Sequence, residues 1–538
     1  MLPHAPDLGG RTPEGTQQML LAGLRTWRPP GPERAWQLLG VALLGLACLF
    51  SVRPTLTWAH AVRPMPTLVG TFVGLGLVVA CVLLGLAIVL GVGLLASRRP
   101  RLALLLAALL FIASRAVLLV LVDAALVSDW LSYHSLARGW LRGAPAIAGV
   151  PMGYPILLGE AYRLGGISTA TAEVVNFAAS LTSAGLIWAL VRHVAGSVAG
   201  VMAVAVLALT PSQLLFTAVR GSEIMYSALL VAIAILATVL LGRLREQGVR
   251  QWLAVAGLLG ITLGLSAYIR STSLAIAPVI ALLPILDRRD RRGLTAGAAI
   301  GIGALIALAP IISLNAIHLH RLSPSTTLYA GWQLYVGANV QTGGRYNAAD
   351  ALRVDTEVPE YRRRSLANEY ANGRFDRALL ATAAERDAVA FRLFVERVRE
   401  TGPALIGLLP VKFADGWSLA DDGARWVLQI GRPDPDNLEY RVARVLSQAW
   451  WVALLALAAI GQLIVGRRAP SLALVVTAIL VPVTATVVLL ETQGRYHEYV
   501  VPILAGLAAI TLARSLETLR SRGFAVLGFR PRRDGEVA

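Results

Sequence analysis

The stretch Leu126–Leu141, LVSDWLSYHSLARGWL, follows an apolar run over residues 102–122 and sets a carboxylate, Asp129, a few residues past that run's end. A run of about 20 mostly apolar residues is enough to cross a bilayer as a helix. An ionisable group at such a boundary is expensive unless it faces a cavity or a partner. Read this way, the stretch makes the chain a membrane protein with polar chemistry at one edge of its spans. The question it raises is whether Asp129 has company.

The rest of the chain fits that frame. Of 538 residues, 56% are hydrophobic and only 15% are charged, against about 25% charged in a soluble protein. Apolar blocks at 37–53, 68–96, 102–122, 172–192, 197–217, 223–241, 252–269, 271–286, 294–314, 448–465, 470–490 and 499–516 predict about twelve spanning helices. The apolar stretch 153–166 is too short to span and reads as an interfacial or re-entrant piece. The fold class expected is an all-α polytopic membrane protein.

Charge gives the orientation. The net charge of +17 comes almost wholly from arginine, with Lys412 the only lysine. No basic stripe with interleaved aromatics is present, which excludes a nucleic-acid partner. Arginines cluster at 98–101, 243–250, 288–292, 467–468 and 530–533. With alternating spans and a cytoplasmic N-terminus they all fall on one side, which the positive-inside rule makes the cytoplasm. The expected organisation is a disordered cytoplasmic segment 1–35 and a membrane core 36–314 with an acidic outer loop 123–153. An extracytoplasmic segment 315–447, C-terminal helices 448–516 and a basic cytoplasmic tail 517–538 follow. Within 315–447, residues 403–413 (PALIGLLPVKF) read as an amphipathic piece lying on the membrane surface. Cys48 and Cys81 fall inside apolar runs and read as small core residues.

On this topology the outer face collects Asp123, Asp129, Arg220, Glu223, Arg270, Glu491, Arg495, His497 and Glu498. Acids and arginines gathered there suit an anionic, hydroxyl-bearing substrate. Each also has a bland reading. Ser128 or Asp129 could cap the helix they begin. Glu223 could answer the dipole of the helix it opens. Arg270 could reach for lipid headgroups. The crowded turn ETQGRYHEYVVP, residues 491–502, is more than an ordinary solvated turn needs. His318 and His320 lack an acid at ligand spacing, so no metal site is assigned to them.

These stretches carry a family resemblance. SDWLSYHSLARGWL followed by GYPILLGEAYRLGG, Arg115 in the preceding span, Ser222–Glu223, YIRSTSLAIAP at 268–278, LYVGANVQTGGRYN at 334–347 and GRYHEYVVP at 494–502 occur in that order. Together they resemble the GT-C glycosyltransferases of the protein O-mannosyltransferase-like group, which includes the lipid A aminoarabinose transferases. The resemblance covers roughly residues 102–516. Family members often carry Asp-Glu in the acidic loop, whereas Trp130 follows Asp129 here, and the first two spans look like an addition to the shared core.

The resemblance implies a bacterial plasma-membrane enzyme, a hexosyl- or pentosyltransferase with its site on the outer face. It would take a sugar from a polyprenyl-phosphate carrier and give it to a hydroxyl on a protein, glycolipid or wall polymer. Asp129 would be the general base, and Glu223 the second carboxylate, orienting the acceptor or holding a divalent metal. Arg270 and Arg495 would bind the donor phosphate, with Tyr133, Glu491, Tyr496 and His497 around the substrate. No other cofactor is implied. The alternative is a transporter or flippase for a lipid-linked glycan, which would place its charges near mid-membrane in broken helices.

Overall fold

The computed structural model describes residues 32–59, 68–245, 249–363, 366–374 and 376–521, and all regular structure among them is helical. Most of the expected N-terminal segment and of the basic tail lie outside the described residues. Ten helices are long and apolar enough to cross a membrane: Glu33–Trp58, Leu75–Ala96, Pro100–Leu121, Thr169–Ala208, Glu223–Arg243, Gln251–Ile269, Arg291–Leu319, Leu438–Arg468, Pro470–Leu489 and Gly494–Ser521. The chain is a multi-pass, all-α membrane protein.

The count departs from twelve in two places. Spans 172–192 and 197–217 are counted together in the 40-residue element Thr169–Ala208, which is two helices joined at Gly196, whose φ of 88° and ψ of 172° are non-helical, so the two expected runs stand as separate helices. A Cβ on Gly200 would lie 3.0 Å from the Arg192 Cβ and 3.1 Å from the Trp188 carbonyl oxygen, so the chain doubles back at the break. The left-handed φ explains why glycine occupies the hinge. The other place is Ser273–Arg288, which has 16 residues and Pro278 and Pro284 inside it.

Local sequence sets the helix ends. Proline stands at the first turn of Pro100–Leu121, Pro211–Phe216 and Pro470–Leu489, where its missing N–H has no partner to lose. The side chains of Ser168, Asp290, Asp376 and Asn437 accept from backbone N–H groups three residues on. Helices Val249–Ile269 and Arg291–Leu319 approach closely because small residues meet there: a side chain on Gly260 would collide with the Ile300 carbonyl.

The acidic loop holds the helix Ser128–Leu141 and leads into the helix Gly153–Gly165. The link between them sits against the segment that follows Leu319. Leu328 N donates to Ala148 O at 3.1 Å, and the Tyr370 hydroxyl donates to Ile147 O at 2.9 Å. Residues 403–413 fall in the helix Ala404–Ser418, which buries Leu408, Lys412 and Trp417 and exposes Ile406, Leu409 and Val411. One side of the helix packs on the protein and the other leaves apolar side chains exposed.

Candidate active site

Asp129 is the second residue of the helix Ser128–Leu141. That helix starts after Val127 with no side-chain cap, so neither Ser128 nor Asp129 serves as one. Asp129 Oδ2 instead receives the guanidinium of Arg495, which comes from the far end of the sequence. Arg495 is almost completely buried. Its guanidinium lies 4.8 Å from the Trp130 ring and 5.7 Å from the Trp426 ring, an arrangement that holds a flat cation in a low-dielectric wall. Its Nε is 3.9 Å from Glu223 Oε1. Its Nη1 has no hydrogen-bond partner.

Glu223 begins the helix Glu223–Arg243, but its side chain turns to Arg270 rather than along the helix axis. Arg270 Nη2 donates to Glu223 Oε1, Nε to Ser222 Oγ at 3.0 Å, and Nη1 to the Tyr499 hydroxyl at 3.1 Å. Each nitrogen of Arg270 thus has a partner inside the protein, and the guanidinium lines a cavity. Tyr133 lies 3.4 Å from Ser222 Oγ and packs edge-on against Tyr154, whose hydroxyl donates to Asn176 Oδ1 at 3.1 Å. These contacts fix the acidic-loop helix on the bundle.

All of this faces a cavity of about 830 Å³, within the range of ligand-binding clefts. Asp129, Tyr133, Arg270, Glu491, Arg495 and Tyr496 line it. Glu223 does not: it sits directly behind the two arginines, with its Oε2 buried and unpartnered. Its position suits holding the guanidiniums rather than touching an acceptor. Glu491 Oε2 accepts from Gln333 Nε2 at 3.2 Å and its Oε1 from Gln493 Nε2 at 2.6 Å, and burial pushes its carboxyl up.

His497 is a correction. It is fully buried, its ring stacked 4.2 Å from Trp451 and its Nδ1–H donating to Gly416 O at 2.9 Å, and it has no face on the cavity. The tight 3₁₀ turn Gly494–Val500 sends successive side chains in different directions. Arg495, Tyr496 and Tyr499 reach the cavity, while His497 and Glu498 point into the bundle, where Glu498 accepts from Gln213 at 3.1 Å. His497→Ala is expected to lower thermal stability by about 2–4 kcal/mol through a lost stack and cavity, with substrate KM unchanged. Thermal unfolding beside a KM measurement separates the two effects. Asp123 and Arg220 also stand outside the cavity lining; Arg220 donates to Thr169.

A divalent cation does not fit the two carboxylates as they stand. Asp129 and Glu223 each hold a guanidinium where a metal would sit, and among the described residues no three His, Cys, Asp or Glu side chains form a ligand group.

Of the wall supplied by 315–447, the sequence pointed only to the stretch 334–347, which carries Arg345 and Tyr346. Trp426 flanks Arg495, and Tyr329, Trp332, Tyr346, Asp421 and Asp422 also line the cavity. Lys412 donates from Nζ to Gly337 O at 2.8 Å and to Leu490 O at 2.5 Å. It thereby ties the helix Ala330–Gly337 to the link carrying Glu491, and burial pushes its ammonium down to about 8. The signal available was its singularity: one lysine in a chain that uses arginine everywhere else.

Burial, helped by the neighbouring Asp422 charge, pushes the Asp421 carboxyl up to about 6. The native state then holds a proton that the unfolded chain, with a normal carboxyl near 3.8, has released. The resulting stabilisation is full below the unfolded value and is lost as pH rises through about 6. Asp421→Asn should flatten the melting temperature between about pH 4 and pH 6, the interval between the unfolded and folded values, and raise it at neutral pH. Melting curves of both proteins across that window check this.

No protein-family model and no curated protein matches the chain by sequence. Solved structures do resemble it. The archaeal oligosaccharyltransferase AglB from Archaeoglobus fulgidus, in complex with an inhibitory peptide and a dolichol-phosphate, is 15% identical with a TM-score of 0.45, covering 81% of this chain and 53% of that one. ArnT from Cupriavidus metallidurans, bound to undecaprenyl phosphate, is 14% identical with a TM-score of 0.36, covering 79% and 81%. The chain spans about half the length of the archaeal oligosaccharyltransferase chains it matches.

Proposed function

We propose that this chain is a GT-C-type glycosyltransferase that moves a sugar from a polyprenyl-phosphate carrier to an acceptor hydroxyl at the outer face of a plasma membrane. One observation carries the reading. Asp129, Glu223, Arg270 and Arg495, from three helix ends and a turn far apart in sequence, form one carboxylate–guanidinium cluster at the wall of a cavity beside the spans.

The chemistry follows from what each group can do. Asp129 takes the proton from the acceptor hydroxyl as that oxygen bonds to the anomeric carbon. The anomeric bond to the carrier breaks on the opposite side, and its electron pair leaves on the phosphate oxygen. Arg495, with its free Nη1, and Arg270 stabilise the charge that gathers there. One displacement with no covalent sugar–enzyme step inverts the anomeric configuration. Glu223 keeps both guanidiniums in place from behind.

Orientation is supported helix by helix. Arg99 precedes the helix that leads to Asp129; Arg243 ends the helix that Glu223 begins; Arg288 ends the helix that starts just after Arg270; and Arg467 and Arg468 precede the helix that leads to Glu491. Each arginine stands at the opposite helix end from a residue of the cluster or of the cavity lining. The positive-inside rule then turns the cavity outward. The same distribution disfavours a transporter, whose charges would lie near the middle of the spans.

The test is transfer of label from a polyprenyl-phosphate sugar by the purified protein in liposomes, analysed for inversion. Carrier that crosses the bilayer with its sugar still attached would make the chain a flippase.

A further inference from the structure

The cavity is larger than a carrier phosphate and one sugar need, and its far wall has its own character. Trp332 and Tyr346 stand 6.2 Å apart with their rings inclined at 58°, forming an aromatic corner, and Tyr329 lines the cavity beside them. Tyr346 leaves 60% of its surface open, an unusual state for an aromatic ring. It follows a turn in which Gly343 and Gly344 have φ of 69° and 76°, conformations that favour glycine.

The corner is braced from the rear. The Arg386 guanidinium lies 4.7 Å from the Trp332 ring and 5.6 Å from the Tyr329 ring, and its Nε donates to Asp355 Oδ1 at 2.7 Å. A braced ring loses little freedom when something lies on it. At the edge of the corner stands Gln333, bonded to Glu491. Both Glu491 and Tyr329 lie near enough to Asp129 to feel its charge.

Charge narrows the occupant. Arg270 and Arg495 are assigned to the donor phosphate, Arg345 beside Tyr346 holds Asp415, and the exposed Arg425 stands near Asp421 and Asp422. An anionic group meets no spare cation at the aromatic corner. A pyranose ring has the complementary make-up: an apolar C–H face for an aromatic ring and a rim of hydroxyls for amides and carboxylates.

We propose that Tyr329, Trp332, Gln333 and Tyr346 form a subsite for a neutral saccharide, so that the hydroxyl offered to Asp129 belongs to a sugar rather than to a polypeptide. This rests on the function proposed above. The test is binding of the purified full-length protein in nanodiscs to an array of neutral oligosaccharides, anionic oligosaccharides and Ser/Thr peptides. Undecaprenyl phosphate binding is measured on the same preparation. Neutral oligosaccharides should retain the protein, and Tyr346→Ala and Trp332→Ala should each weaken retention at least about ten-fold, the effect expected when a stacked ring is lost. Trp332→Phe should hold most of it. Because Trp332 is nearly buried, the exposed Tyr346 gives the decisive variant. Retention only by peptides or anionic glycans, no retention, or retention indifferent to Tyr346→Ala overturns the inference. If undecaprenyl phosphate still binds in those cases, the proposed function stands; if it does not, both fall.

Discussion

Asp129→Asn abolishes sugar transfer to within assay limits, a loss of about 10²- to 10⁴-fold, while the protein folds and still binds polyprenyl phosphate. Asparagine has the shape of aspartate and can still accept from Arg495, and the buried guanidinium keeps Glu223 as a countercharge 3.9 Å from its Nε. What disappears is the base. Binding of the lipid phosphate stays the same or tightens, because Arg495 no longer shares its charge with a carboxylate. A variant that lost lipid-phosphate binding and transfer together would point to a structural role for Asp129 instead. Single-turnover rates beside equilibrium binding distinguish the two.

Arg270→Met should damage the fold as well as the reaction. Glu223 is 1% exposed, and its Oε1 depends on Arg270. Its Oε2 has no hydrogen-bond partner, and Arg495 Nε stands 3.9 Å from Oε1. Removing Arg270 leaves a carboxylate in a dry wall with too little countercharge, which costs about 3–5 kcal/mol. The double variant Arg270→Met/Glu223→Gln removes the stranded charge and should regain most of that stability, but no transfer. Thermal unfolding of wild type, both singles and the double gives the coupling between the two groups. A double variant no more stable than Arg270→Met would mean that the pair is not what Arg270 contributes.

The sequence makes some of this site legible and hides the rest for physical reasons. Asp129, Glu223 and Arg270 could be read because each stands at the end of an apolar run, where an ionisable side chain has few inexpensive explanations. Arg495 could be read because its turn is crowded with polar groups. The same crowding misplaced His497: composition reports that a turn is polar, not which way each residue of a 3₁₀ turn points. Tyr346 falls in the stretch 334–347 singled out in the sequence, but Trp426, Tyr329 and Trp332 could not be read at all. They reach the cavity through the folding of 315–447, where apolar periodicity says that helices form but not where they dock. The break between the apolar runs 172–192 and 197–217 is legible, and the chain reverses there at Gly196.

The central claim is that a lipid-borne phosphate sits on the guanidiniums that Asp129 and Glu223 hold at the cavity wall. Arg495→Met tests it most directly, since Asp129 is partly exposed and Glu223 keeps Arg270, so the variant strands no charge. The measurement is the Kd of undecaprenyl phosphate for wild type and Arg495→Met in nanodiscs. At least a ten-fold weakening, about 1.4 kcal/mol, is the result expected from losing one charge-assisted phosphate contact. Equal affinity in the two proteins would contradict it.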